Sequence, residues 1–278
     1  MGWTITDDLE DFLARAGGFL REDPIANTVP LTLAESMRTQ GSDLYGTARF
    51  GWWTSGGDVE GAFLWTGTHP PLLCAMPERA AGDLADVLAG RDAVVAAVNG
   101  TPETAGAFAE AWTRGTGAPS RVRLRQRLHR LARLEPPDPA PDGAARVAGD
   151  ADLDLVLEWS VQFHRDAGGP SRPNPAVTRG RLAQGGITLW EADGRPVAMA
   201  GQTQAVAGVA RVAPVYTPAE HRRRGYGAAV TAAATTGALG AGADEVVLFT
   251  DLANPTSNGV YRRIGYRPVQ DRVILAFG

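Results

Sequence analysis

Four of the nine residues from Glu135 to Gly143 (EPPDPAPDG) are proline. Each proline fixes φ and removes a backbone donor, so neither a helix nor a central strand can run through this stretch. The 278-residue chain is therefore expected to fold as two similar halves, 1–135 and 144–278, joined by a linker at 136–143. Each half falls within the usual domain size of about 100–200 residues.

The halves carry the same punctuation. GITLWEADGRPVAMAGQT (186–203) has two apolar runs around Asp193-Gly194, which reads as a β-hairpin. FGWWTSGGDVEGAFLWT (50–66) repeats the pattern around a glycine-rich turn, with Trp53 where the other copy has Trp190. LLCAMPERAAGDL (72–84) then lies opposite APVYTPAEHRRRGYG (213–227), and RDAVVAAVNGTPETAGAFAEAW (91–112) opposite ADEVVLFTDLANPTSNGVYRRIGY (243–266). One ancestral unit, duplicated, is the expected origin. The copies differ in their polar groups. Ala105 stands opposite Asn258, Phe108 opposite Tyr261, and Leu84 replaces the second glycine of the Arg/Gly turn.

That turn is the chemical centre of the second half. Ala210 to Tyr216 reads as a strand, with Pro214 marking a break or bulge in its ladder. Arg222, Arg223, Arg224, Gly225, Tyr226 and Gly227 follow, and the alanine-rich run from Ala228 reads as a helix. In the order strand, turn, helix, backbone N–H groups and the positive end of the helix dipole converge on one point, where an anion fits. By itself the R-x-x-G-x-G string fits a phosphate cradle or a solvated turn. A second pattern follows the apolar strand Val246–Thr250: Asn254 is a natural N-cap, Pro255 suits the first helical position, and Asn254, Asn258 and Tyr261 share one helical face.

Together the two patterns resemble the GNAT acetyltransferase superfamily over nearly the whole second half, including Arg262 to Tyr266 and the closing strand 272–277. The first half resembles a degenerate copy without a cofactor site, making the chain similar to a tandem GNAT protein. The implied fold is α/β (α+β): two GNAT-like domains, each a mixed, mostly antiparallel twisted sheet flanked by helices. The resemblance further implies acetyl-CoA as acyl donor and no metal. Its pyrophosphate would lie on the backbone from Arg222 to Ala228, and its pantetheine arm would pair with β-strand residues Val215, Tyr216 and Thr217. Asn254 and Asn258 would hold the arm's amides, and Tyr261 would act as general acid toward the leaving thiolate. The acceptor would be a small-molecule or peptide amine attacking directly. The sequence departs from the family in its base, because residues 209–216 contain no carboxylate. Glu220 reads as a loop residue, leaving Asp251, Glu191, Glu158, His164 or a water relay as alternatives.

The remaining features narrow the class. The net charge is −4, which argues against a nucleic-acid coat, and the use of arginine for all 27 basic residues reads as genome composition rather than function. The alternation of arginine with apolar residues from Arg121 to Leu128 reads as a closing strand with one basic face rather than a polymer site. A single cysteine, Cys74, excludes an internal disulfide and fits a cytoplasmic location. No apolar run is long enough to span a membrane. Trp52, Trp53, Trp65 and Trp112 read as core, and 165–180 as a mobile loop able to gate the acceptor. No nucleic-acid or membrane partner is expected, and the chain is expected to be a monomer or homodimer. The missing base keeps a non-catalytic acyl-CoA-binding module open as an alternative, as is acetylation of an amino-sugar or thiol metabolite.

Overall fold

The computed structural model describes residues 1–41, 45–67, 69–91, 93–167 and 173–278. In chain order the first ten elements are β1 (Gly2–Thr6), α1 (Leu9–Glu22), α2 (Thr28–Gln40), β2 (Ala48–Ser55), β3 (Asp58–Thr66), β4 (Leu72–Leu73), α3 (Glu78–Ala89), β5 (Ala97–Gly100), α4 (Pro102–Thr116) and β6 (Ser120–Leu131). The next ten repeat that order: β7 (Ala144–Val147), α5 (Leu153–Asp166), α6 (Pro175–Ala183), β8 (Ile187–Ala192), β9 (Arg195–Gln202), β10 (Val209–Tyr216), α7 (Tyr226–Gly240), β11 (Glu245–Asp251), α8 (Pro255–Arg263) and β12 (Tyr266–Phe277).

Local chemistry explains several boundaries. Asp193 (φ 51°) and Gly194 (φ 70°) both take the left-handed conformation that a two-residue turn between β8 and β9 requires. Thr101 caps α4 by accepting the Thr104 N–H, with Pro102 next, and Asn254 caps α8 by accepting the Ser257 N–H, with Pro255 next. Segment 165–180 is only partly loop. α5 runs to Asp166, α6 begins at Pro175 behind an Asn174 cap, and residues 168–172 lie outside the described residues.

The chain divides into two compact units, but not at the prolines. Unit 1 is Met1–Leu128 with Asp251–Ala253 and Val269–Gly278, and unit 2 is His129–Thr250 with Asn254–Pro268. The expected boundary at 136–143 is thus displaced. The stretch belongs to unit 2, where Trp190 Nε1 donates to the Asp142 carbonyl at 2.9 Å. The chain's last ten residues leave the second half because Val273–Ala276 pair antiparallel with Ala97–Gly100 of β5.

In unit 1, β1, β2, β3, β4 and β5 are neighbours in that order, antiparallel except for β4 and β5. Its core gathers Phe63, Leu73, Leu84, Leu88, Val98, Phe108, Trp112 and Val273. Trp52 and Trp53 are also buried. In unit 2, β7, β8, β9 and β10 are antiparallel neighbours, and β11 joins β10 in parallel. Apolar clusters cover both faces of this sheet. Ala198, Ala200, Val212, Val230, Val246 and Tyr266 lie on the α7 side, and Val156, Trp159, Leu182, Leu189, Met199 and Tyr216 on the α5 and α6 side. Among the described residues no helix is long and apolar enough to cross a membrane.

Candidate functional site

Strands β10 and β11 pair at only three positions, Val209 with Glu245, Ala210 with Val246 and Arg211 with Val247. β10 then continues to Tyr216 and β11 to Asp251. Beyond Arg211 the two strands are no longer partners, so a fork opens between them. Its cause lies in the sequence. The β10–β9 register slips between Val212 and Val215, a bulge at the position of Pro214, which has no N–H for a ladder. Val215 and Tyr216 remain paired to Ala200 and Met199 on the β9 side. Their free edge faces the fork.

The arginine–glycine turn follows directly. Arg223 (φ 62°) and Gly225 (φ 85°) are both left-handed, which folds successive amides toward one side as in an anion-binding nest. Gly225 is the N-cap of α7 and offers no side chain, so the first amides of the helix have no capping acceptor of their own. The first return bonds come from Ala228 and Ala229 N–H to the Gly225 carbonyl, each at 3.1 Å. Tyr226 is buried in the α7-side core, whereas Arg222, Arg223 and Arg224 are exposed. At Gly227 a Cβ would lie 3.4 Å from Thr217 Oγ1, a close approach of the turn to the end of β10. The turn thus has the left-handed geometry that phosphate oxygens fit, rather than that of a plain solvated reversal.

The three arginines do not act alike. Arg222 donates from Nε to the Thr217 carbonyl (2.9 Å) and from Nη2 to Asp166 at the end of α5 (2.5 Å), and its guanidinium lies 5.8 Å from the Tyr216 ring centroid. It ties the turn to β10 and α5. Both charged partners are nearly half exposed, and such a pair contributes only about 0–1 kcal/mol, so an incoming phosphate can compete for Arg222. Asp166 was not among the residues expected at the site. Its position at the end of α5 carries no local pattern that would reveal the pairing.

On α8, Asn254 Oδ1 is committed to the cap, and Asn258 Nδ2 donates to the Asn254 carbonyl at 2.8 Å. Tyr261 packs against the α7-side core and meets Tyr266 edge-on at 6.3 Å. Burial pushes the Tyr261 phenol up to about 12, so it holds its proton throughout the physiological range. Tyr216 hydroxyl is also engaged, donating to Gln162 Oε1 at 2.9 Å.

The carboxylates expected as bases are spread out. Glu191 is held by Arg146 at 2.7 Å, together with Asp152, at the β7–β8 edge. Glu158 accepts from Gln162 Nε2 at 2.9 Å on an exposed part of α5. Asp251 accepts the Ala253 N–H, and the His164 ring stacks edge-on with Phe163. Among the described residues no group of three metal-ligating side chains occurs.

The first copy's counterpart of the turn behaves differently. α3 starts at Glu78, directly after Pro77, so Arg79 to Gly82 form its first helical turns instead of a loop. Two alanines without a left-handed glycine favour that outcome.

Residues 153–266 match the family model described as the acetyltransferase (GNAT) family. No curated protein is significantly similar in sequence. Among solved structures, a GCN5-related N-acetyltransferase from Kribbella flavida aligns over 91% of this chain and 95% of its own, with 22% identity and a TM-score of 0.59. One from Sphaerobacter thermophilus aligns over 99% and 95%, at 16% and 0.61. A tandem GNAT protein from the clavulanic acid biosynthesis pathway aligns over 99% and 98%, at 14% and 0.58. These likenesses carry the fold over the full length of the chain.

Proposed function

Starting from residues 153–266 as an acetyltransferase domain of the GNAT family, we propose that the chain transfers an acetyl group from acetyl-CoA to a primary amine, using a single site in unit 2. The observation that carries this reading is the fork that opens after Arg211, followed at once by the left-handed turn at the start of α7. An extended amide-bearing arm would lie along Val215 and Thr217, the residue just past the end of β10 whose carbonyl accepts from Arg222 Nε, and the turn would meet the arm's phosphates. The amine attacks the thioester carbon, a C–N bond forms and the C–S bond breaks. Tyr261 donates a hydrogen bond to the departing sulfur. A thiol titrates near 8.5, so complete transfer from a phenol near 12 is uphill, and the hydrogen bond itself carries much of the stabilisation. The amine's proton leaves to water or to Asp251 or His164, since Glu191 and Glu158 are held by Arg146 and Gln162.

That last point gives the second reading its support: an acyl-CoA-binding module without turnover. Unit 1 is proposed to serve as framework without a donor site. Two measurements separate the readings. Acetyl-CoA should raise the melting temperature of the purified protein, and a panel of primary amines should release free CoA thiol. Stabilisation without thiol release from any amine favours the binding module; no stabilisation at saturating acetyl-CoA defeats both.

A further inference from the structure

A positive charge sits at the mouth of the fork with one nitrogen lacking a partner among the described residues. Arg211 is the last residue of β10 paired to β11, and its side chain is half-buried. Its backbone N–H donates to Thr203 Oγ1, but its Nη1 is sealed from solvent with no hydrogen-bond partner among the described residues. Its neighbour is a second cation. Arg181 of α6 reaches across the sheet and donates from Nη1 to the Ala213 carbonyl, inside the β10 bulge, at 3.0 Å. The path is built for it. A Cβ at Gly186 would lie 2.7 Å from the Arg181 side chain, and one at Gly201 would lie 3.1 Å from its Nη1. Ala210 and Val212 point into the α7-side core, so alternation along the strand puts Arg211 on the face that α5 and α6 cover. Burial, then the charge of Arg181, pull the Arg211 guanidinium down to about 10, still fully charged at neutral pH.

A desolvated cation beside another cation is unfavourable unless an anion completes it. Guanidinium charge is delocalised, so an anion docking at the open edge of Arg211 compensates the whole group, Nη1 included, in the fork geometry that suits a carboxylate or a phosphate. We propose that Arg211, oriented alongside Arg181, recognises a negatively charged group on the acceptor, so that the acceptor is an amine bearing a carboxylate or a phosphate. This rests on the acetyltransferase reading for the word acceptor, but not for the binding of an anion.

The test uses the intact protein with CoA or acetyl-CoA bound. Probes come as matched pairs: amino acids and dipeptides as free acids and as carboxamides, and O-phosphoethanolamine beside ethanolamine. Hydrogen bonds to charged groups support a preference of at least about tenfold in kcat/KM for the anionic member, expressed mainly in KM. The carboxylate and phosphate pairs tell which anion is read. Arg211→Met should abolish the preference, Arg211→Lys should restore part of it, and neither should change the thermal shift given by acetyl-CoA. Equal use of neutral and anionic amines, or discrimination that survives Arg211→Met, would overturn the proposal. If no amine is acetylated, thermal shifts of the CoA-loaded protein decide. Arg211-dependent stabilisation by the anionic members alone upholds anion recognition while the transferase reading falls. No selective stabilisation sinks the anion site as well.

Discussion

Each unit contains a parallel strand pair at the same place in the element order, and the two pairs end differently. In unit 2, β10 and β11 part after three positions, and Arg211 at the branch point keeps an unpartnered Nη1. In unit 1, β4 and β5 pair at a single position, Leu72 with Asn99, and an arginine again lies at the branch. Arg272 of β12 is 5% exposed and engaged through two nitrogens: Nη2 donates to the Leu73 carbonyl at 2.8 Å and to the Asn99 carbonyl at 3.4 Å, and Nε to Asn99 Oδ1 at 3.2 Å. The same functional group therefore links the strands through their carbonyls in one copy and, among the described residues, leaves its Nη1 without a hydrogen bond in the other. On the unit 2 side, the Ala213 carbonyl accepts from Arg181 and the Thr217 carbonyl from Arg222, so there the branch-point arginine is spared that task. The left-handed turn that precedes α7 has no counterpart before α3.

The largest expected difference concerns Tyr261, whose counterpart Phe108 is fully buried in the unit 1 core. Tyr261→Phe makes unit 2 resemble unit 1 at that point. Loss of a proton-donating group in a transition state typically lowers turnover by about 10²–10⁴-fold, and the mismatch between phenol and thiol places the expected loss toward the lower end, about 10²–10³-fold. Steady-state kinetics should show the fall in kcat, with acetyl-CoA affinity by calorimetry unchanged. An unchanged kcat would remove Tyr261 from the chemistry and with it the main functional contrast between the copies.

The two arginines supply the next test. Arg272→Met removes the bonds to the Leu73 carbonyl, the Asn99 carbonyl and Asn99 Oδ1, a loss of about 2–3 kcal/mol to unit 1. Arg211→Met removes a half-buried charge whose Nη1 has no hydrogen-bond partner among the described residues, and such replacements are often neutral or stabilising. Hydrogen exchange over 60–100 should therefore accelerate in the first variant, while the ligand-free melting temperature of the second holds or rises. Equal destabilisation by both would show that Arg211 has a structural partner and that the two forks are alike.

Much of the architecture was legible before any coordinates. The Asp193-Gly194 hairpin, the Thr101-Pro102 and Asn254-Pro255 helix starts and the bulge at Pro214 follow from φ preferences and capping, which are local. The errors share a cause. Arg79 to Gly82 aligned by spacing with the second-copy turn, but helix propensity after Pro77 absorbed them into α3. The prolines at 136–143 do interrupt regular structure, yet compactness follows strand pairing, and Val273–Ala276 join β5 from far along the chain. The bond from Arg222 to Asp166 spans 56 residues of sequence that no local pattern connects. Arg211 was visible only as the single charge in an apolar strand.

Gly225 probes the cradle more gently. Its φ of 85° is strained for any residue with a Cβ, and a left-handed non-glycine residue costs about 1–2 kcal/mol. A Cβ would meet Pro141 at 3.6 Å, ordinary contact, so the backbone rather than a clash sets the effect. Gly225→Val should weaken acetyl-CoA binding roughly tenfold, since about 1.4 kcal/mol is one decade. Gly82→Val, inside α3, should leave binding untouched. If both substitutions weaken it, unit 1 contributes to the donor site after all.

The smallest effect is the absence of one. Tyr261 acts while protonated, and burial raises its pKa to about 12, so the active form persists as pH rises through 7 to 10. The pH dependence of kcat/KM should therefore rise with deprotonation of the amine and then stay flat to pH 10. A solvent-exposed phenol would begin to lose its proton near 10 and bend the profile downward. A falling limb between 8 and 10 that disappears in Tyr261→Phe would mean that the phenol is open to water in the working enzyme. Tyr261 would then differ from the sealed Phe108 in its surroundings as well as in its hydroxyl.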